Sequence, residues 1–160
     1  MNLSEFEISI FGELEPISPT LSKARCRTFY KGLNRNGGYI DDEFADKLAS
    51  SFPYTPIKGI YNKDNNDFTT HGEARDEGRI YGVVPADPHI AYEAHVDEDG
   101  ITRDYCTADV YLYTAIYQEA SEIPGKSQSM ELYVPSIKGN WQYRQGKRCY
   151  VYTDACFLGL

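Results

Sequence analysis

The sequence predicts a mainly β member of the α+β class. The expected core is an antiparallel β-barrel of about six to eight strands, closed or partly closed, with a few flanking helices. Three observations predict this. Tyrosine is abundant, at 14 of 160 residues, and favours strands. Apolar residues alternate with polar ones in run after run. Turn signals separate these runs closely enough for a sheet that curls on itself, and closure would remove exposed edges.

The elements follow in order. Residues 5–11 alternate, with Phe6, Ile8 and Ile10 on one side. Residues 24–31 alternate again: Ala24, Cys26, Thr28 and Tyr30 face one way, and Lys23, Arg25 and Arg27 form the solvent face. Asn36-Gly37-Gly38 is a turn. The clearest helix starts at Asp41 or Asp42, carries Phe44, Leu48 and Phe52 at i, i+4, i+8, and is stopped by Pro53 and Pro56. A short strand, 57–61, precedes a long polar stretch, 62–78, that holds His71. A connection of that length inside a domain tends to be functional. Residues 79–84 return to strand. Residues 90–96 and 101–113 are the arms of a hairpin around Asp97-Glu98-Asp99-Gly100. Residues 115–123 predict a second helix, ended by Pro124-Gly125. Strands follow at 127–134, 140–144 and 148–158.

The chain reads as one domain, 1–160, with no internal repeat or low-complexity linker. Its net charge of -8 shows no basic face of the kind nucleic-acid binders carry, so no nucleic-acid partner is expected. No apolar run approaches the roughly 18 residues that span a membrane, and the N-terminus lacks a signal-peptide pattern. The product is expected to stay in the cytoplasm where it is made. The four cysteines, Cys26, Cys106, Cys149 and Cys156, form no C-x-x-C pair or zinc spacing and read as reduced core residues. No P-loop, dinucleotide fingerprint or H-E-x-x-H occurs, so neither cofactor nor metal is expected. Asp97-x-Asp99-Gly100 has half the pattern of a calcium loop but lacks the later ligands. The apolar ending Phe157-Leu158-Gly159-Leu160 predicts that the parent chain continues.

A hydrolase working without metal commonly needs a histidine as general base. Of His71, His89 and His95, His71 stands out by its long polar segment. Nucleophile candidates are Ser127 and Ser129, two apart at the start of a strand and so on one face. Asp154, in the otherwise apolar run Tyr150 to Phe157, is the carboxylate that could orient the base, with Asp109 in reserve.

The order of these segments resembles a family. Pro56-Ile57-Lys58-Gly59 is followed by His71 and by Gly78-Arg79-Ile80-Tyr81-Gly82-Val83-Val84. A helix, Lys126-Ser127-Gln128-Ser129-Met130-Glu131-Leu132 and the ending from Asp154 come next. This looks like the prohead (capsid maturation) proteases of tailed phages, which share the fold of the herpesvirus assemblins. The resemblance implies a serine protease with Ser129 as nucleophile, His71 as base and Asp154 as third member, Ser127 being the alternative nucleophile. Herpesvirus enzymes use arginines after the third residue for the oxyanion hole. None follows Asp154, and Lys126 with backbone N–H groups could substitute. The resemblance further implies capsid and scaffold proteins as substrates, cleavage of its own chain, self-association as a dimer or higher, and action inside the procapsid in the host bacterial cytoplasm.

Overall fold

The computed structural model describes residues 5–70 and 78–160, with residues 5–11, 70 and 127–129 described by backbone course. It is mainly β. The strands are β1 (Glu5–Phe11), β2 (Glu15–Ser18), β3 (Leu21–Tyr30), β4 (Gly32–Leu33), β5 (Gly38–Ile40), β6 (Pro56–Asn62) and β7 (Asp67–Thr70). After these come β8 (Arg79–Val83), β9 (Ala91–Val96), β10 (Thr102–Leu112), β11 (Ser127–Leu132), β12 (Lys138–Arg144), β13 (Lys147–Asp154) and β14 (Phe157–Gly159). One α-helix, α1 (Asp42–Ser50), lies between β5 and β6.

The larger sheet runs β14-β11-β1-β3-β10-β8-β6-β7, with β2 beside β3 and β9 beside β10. The smaller runs β12-β13-β5-β4, and its β13–β5 pair is parallel. Strand β3 shows why the sheet forms. Ala24, Cys26 and Thr28 are buried on one face, and the Thr28 hydroxyl donates to the Cys106 carbonyl at 2.8 Å. That hydrogen bond removes the cost of a buried hydroxyl. Gly82 sits where β8 crosses β10: a Cβ there would lie 2.0 Å from the Tyr111 carbonyl oxygen. Only glycine lets the two backbones come this close.

Helix α1 starts as its sequence predicts. The Asp41 carboxylate accepts from the Phe44 N–H at 2.8 Å, and Asp42 and Glu43 lie in the positive first turn. Phe44 and Leu48 are buried, and Phe44 stacks on Tyr152 of β13 at 5.4 Å. Beyond the helix, Phe52 stacks on Phe157 at 4.3 Å. The Ser51 hydroxyl joins both ends of this contact, donating to the Leu48 carbonyl at 2.7 Å and accepting from the Phe157 N–H at 3.1 Å.

Two expectations are corrected. The second helix is instead a 3-10 turn, Gln118–Glu122. Its buried residue Ala120 and the following Ile123, also buried, are three apart, which suits a three-residue period, while Ile116 is 65% exposed. The sheets are also open, and no closed barrel is formed among the described residues. The runs at 140–144 and 148–158, counted as barrel strands, leave the large sheet. Strand β12 pairs with β13, β13 pairs with β5, and the chain returns to the large sheet only at β14, beside β11. Stacking of Tyr152 on Phe44 and close packing of Gly38 against the Tyr152 ring hold β13 in the second sheet. The two large-sheet ends are not joined by a ladder. Two backbone hydrogen bonds do link Leu160 to β6, from Leu160 N–H to Pro56 O at 3.0 Å and from Lys58 N–H to Leu160 O at 2.8 Å.

Candidate functional site

His71 lies outside the described residues. Ser129 and Ser127 lie on β11, opposite Glu7 and Ile10 of β1. Just before them, Lys126 Nζ sits 2.6 Å from Asp67 Oδ1 on β7. The Lys126 bond, with the Phe68 N–H behind it, holds the Asp67 carboxyl below its usual range. The Lys126 cation is therefore engaged by a carboxylate rather than pointing unpaired toward a developing oxyanion. Asp154 ends β13 with its side chain 46% exposed and accepts from Lys138 Nζ at 3.2 Å. A carboxylate in an apolar run is thus accommodated at the wet end of its strand and paired.

The described residues bring a different histidine to a carboxylate. Cross-strand pairing sets Asp109 of β10 opposite Arg25 of β3. Arg25 donates to Asp109 Oδ1 at 3.1 Å, to the Thr107 hydroxyl at 2.6 Å and to the His89 carbonyl at 2.6 Å. The Asp109 N–H in turn donates to the Pro88 carbonyl at 2.7 Å. These bonds clamp the 88–89 backbone to the sheet and hold His89 at φ 48, a left-handed conformation rare for side chains larger than glycine. The payoff in geometry is the contact between His89 Nδ1 and Asp109 Oδ2 at 2.8 Å. An ionised carboxylate only accepts, so Nδ1 is the donor of this contact, while Nε2 lies 4.0 Å from Asp87 Oδ2. The His89 side chain is 71% exposed and that of Asp109 is 12% exposed. A histidine ring held on a carboxylate is an arrangement that base catalysis can use. Among the described residues no serine, threonine or cysteine hydrogen-bonds His89 Nε2.

Sequence reasoning had both halves, His89 as one of three histidines and Asp109 as the reserve carboxylate, but no signal joined them. Asp109→Ala should destabilise the fold by about 1–3 kcal/mol, because Arg25 loses its buried carboxylate partner. Asp109→Asn should cost less, since it keeps an acceptor for Arg25. Urea denaturation of the two variants checks this. Equal stability of Asp109→Ala and the wild type would refute the clamp.

A cavity of about 200 Å³ opens beside β6 and β8, lined by Ile60, Tyr61, Lys63, Arg79, Tyr81 and Glu119 among others. Burial pushes the Tyr81 hydroxyl up to about 12, so it stays protonated and donates to Glu119 Oε1 at 3.1 Å. Arg79 donates to the same oxygen at 2.8 Å and lies over the Tyr117 ring. Tyr81, Arg79 and Glu119 thus satisfy one another on one side of the cavity wall.

Among the described residues no cluster of His, Cys, Asp and Glu is arranged to hold a metal. The Asp97–Gly100 turn is filled by Arg103, which donates to both Asp97 and Asp99, while the Tyr105 hydroxyl donates to Asp97. The Arg103 bond, followed by the Ile101 N–H, holds Asp99 at about 2. A carboxyl lowered from 3.8 contributes stability above its unfolded value and loses it as pH falls from about 4 to about 2. An NMR titration of Asp99 should therefore show a midpoint near 2, returning toward 4 in Arg103→Gln.

No curated protein and no solved structure matches the chain. The model of one family, the YonD N-terminal domain, matches residues 20–160, which takes in every element from β3 to β14. The chain belongs to the YonD N-terminal domain family.

Proposed function

We propose that this domain is a serine endopeptidase of the prohead protease type, trimming scaffold and capsid proteins, and its own chain, during procapsid maturation in the host cytoplasm. One observation carries the reading: the Lys126–Asp67 pair at 2.6 Å ties the start of β11 to β7. Strand β11 bears Ser127 and Ser129, and β7 ends at Thr70, next to His71 in the chain. That bond brings the start of the serine-bearing strand beside the strand that precedes His71 in sequence, which supports assigning the two to one site.

In this reading Ser129 Oγ attacks the peptide carbonyl and His71 takes its proton. His71 then protonates the leaving amine, and water releases the acyl group by the same steps in reverse. Asp154 orients His71 after exchanging Lys138 for it. Self-association concentrates enzyme and substrate within the shell.

The pair at His89 Nδ1 and Asp109 Oδ2, 2.8 Å apart, favours a second reading in which His89 is the base. The test is co-expression of the parent chain with its capsid protein, followed by intact mass of the products. Processing that stops in His71→Ala and persists in His89→Ala supports the first reading. The reverse pattern moves the base to His89, and processing in both variants overturns the class.

A further inference from the structure

Strand β12 is the edge of the smaller sheet, and among the described residues it pairs only with β13. Gln145 and Gly146 turn this hairpin with positive φ values of 52 and 74, the geometry of a tight two-residue connection. In such a hairpin the closing pair, Arg144 and Lys147, exchanges backbone hydrogen bonds across the ladder. Alternation then turns the N–H and C=O groups of Gly139, Trp141 and Tyr143 away from β13. An edge of this kind templates pairing with another strand, and proteins blunt it with proline, bulges or charge. Residues 139–143 contain no proline and no charged residue, and their register with β13 is unbroken.

Two chemically different faces border this edge. Trp141 and Tyr143 point to one face, with Tyr150 and Arg148 across the ladder. Trp141 is 45% exposed and Tyr143 is 76% exposed. Arg148 lies over the Trp141 ring at 4.7 Å, so its guanidinium is engaged there. Asn140, Gln142 and Arg144 point to the other face, with Lys147 opposite Arg144. A row of side-chain hydrogen bonds runs along that face: Arg144 donates to Gln142 at 2.9 Å, and Gln142 donates to Asn140 at 2.6 Å. Lys138 is paired with Asp154 at 3.2 Å. Among the described residues no carboxylate pairs with Arg144 or Lys147, and residues 132–153 contain no Asp or Glu.

We infer that the β12 edge takes up an extended segment of a partner protein in which acidic and apolar residues alternate. Its backbone continues the ladder through the outward groups of Gly139, Trp141 and Tyr143. The side chains of an added strand alternate, so one set falls beside the rings and the other beside Arg144 and Lys147. The rings favour apolar side chains, and the cations favour carboxylates. The cations of the polar face thus choose the occupant, and the ring face adds apolar contact. A second copy's β12 carries the same cations and would set like charges together. The net charge of -8 does not oppose an acidic segment here, because salt screens charges more than about 10 Å away. The inference is independent of the protease reading.

The test uses the whole chain and a fluorescein-labelled peptide of about nine residues alternating Glu and Val. A saturable rise in anisotropy is expected. Alternate N-methylation, at the valines in one peptide and at the glutamates in another, should weaken one of the two about 10-fold or more, because only one set of N–H groups faces β12. A peptide alternating Lys and Val should bind about 10-fold or more weakly than the Glu-Val peptide, and Arg144→Glu with Lys147→Glu should reverse that preference. Tyr143→Pro removes an outward N–H and leaves the β12–β13 ladder whole, so it should weaken binding more than Tyr143→Ala. These side chains are exposed, and an unchanged melting temperature verifies folding of each variant. No rise in anisotropy overturns the inference. Binding of both N-methylated peptides as tight as that of the parent peptide overturns strand addition, and equal binding of the Lys-Val peptide overturns the acidic occupant. A dimer in sedimentation that Tyr143→Pro dissolves overturns the inference in favour of a second copy.

Discussion

Ser129→Ala is expected to lower the rate of capsid-protein cleavage by about 10⁴-fold or more while leaving the melting temperature within about 2 °C of the wild type. The size follows from how such residues cooperate. Without the nucleophile the base has nothing to activate, and only the residual help of binding and oxyanion donors remains. His71→Ala should lose a similar amount, and the double variant little more, because the two act as a unit. Ser127→Ala should retain most of the rate. Cleavage rates measured on purified procapsids, with circular dichroism melts alongside, separate these outcomes. A dead Ser127→Ala beside an active Ser129→Ala would move the nucleophile two residues along β11. Full activity in both would remove the serine mechanism.

Phe52→Ala is expected to destabilise the domain by about 3–5 kcal/mol and to lower its melting temperature by about 10 °C. Phe52 is fully buried, stacked on Phe157 with centroids 4.3 Å apart and next to Phe29 at 6.2 Å. Truncation removes the apolar transfer energy, leaves a cavity the neighbouring rings cannot fill by collapse, and breaks the ring pair. The loss would spread beyond the core. Phe157 starts β14, and β14 pairs with β11, the strand that bears Ser129. Phe52→Leu keeps most of the volume and should cost less than Phe52→Ala. Urea denaturation gives both values. A loss below about 1 kcal/mol in Phe52→Ala would mean that the stack does not anchor β14.

Much of the local structure was legible from the chain. Asp41 as a cap, Phe44 and Leu48 on the buried helix face, the β9–β10 hairpin and the alternation in β3 all depend on neighbours in sequence, and all are present, while Phe52, expected on the same helix, lies just beyond its end at Ser50. Less was legible of the site. Asp109 and Asp154 looked alike as carboxylates in apolar strands. One is gripped by Arg25 and His89, and the other ends its strand against Lys138. The basic residues of β3 were read as a solvent face, although Arg25 holds the network around Asp109 together. Residue type and spacing do not encode which strand lies alongside.

By itself the sequence determined the strand-rich character, the capped start of α1 and the hairpin turns. These follow from backbone propensity, capping and side-chain period, which act over a few residues. Tertiary structure alone decided that β12 and β13 leave the large sheet, that Leu160 reaches β6, and that His89 meets Asp109. Each of these pairs groups far apart in the chain. Such pairings are selected by the summed packing of whole strands, here Tyr152 on Phe44 and Phe157 on Phe52, and no local pattern carries that sum.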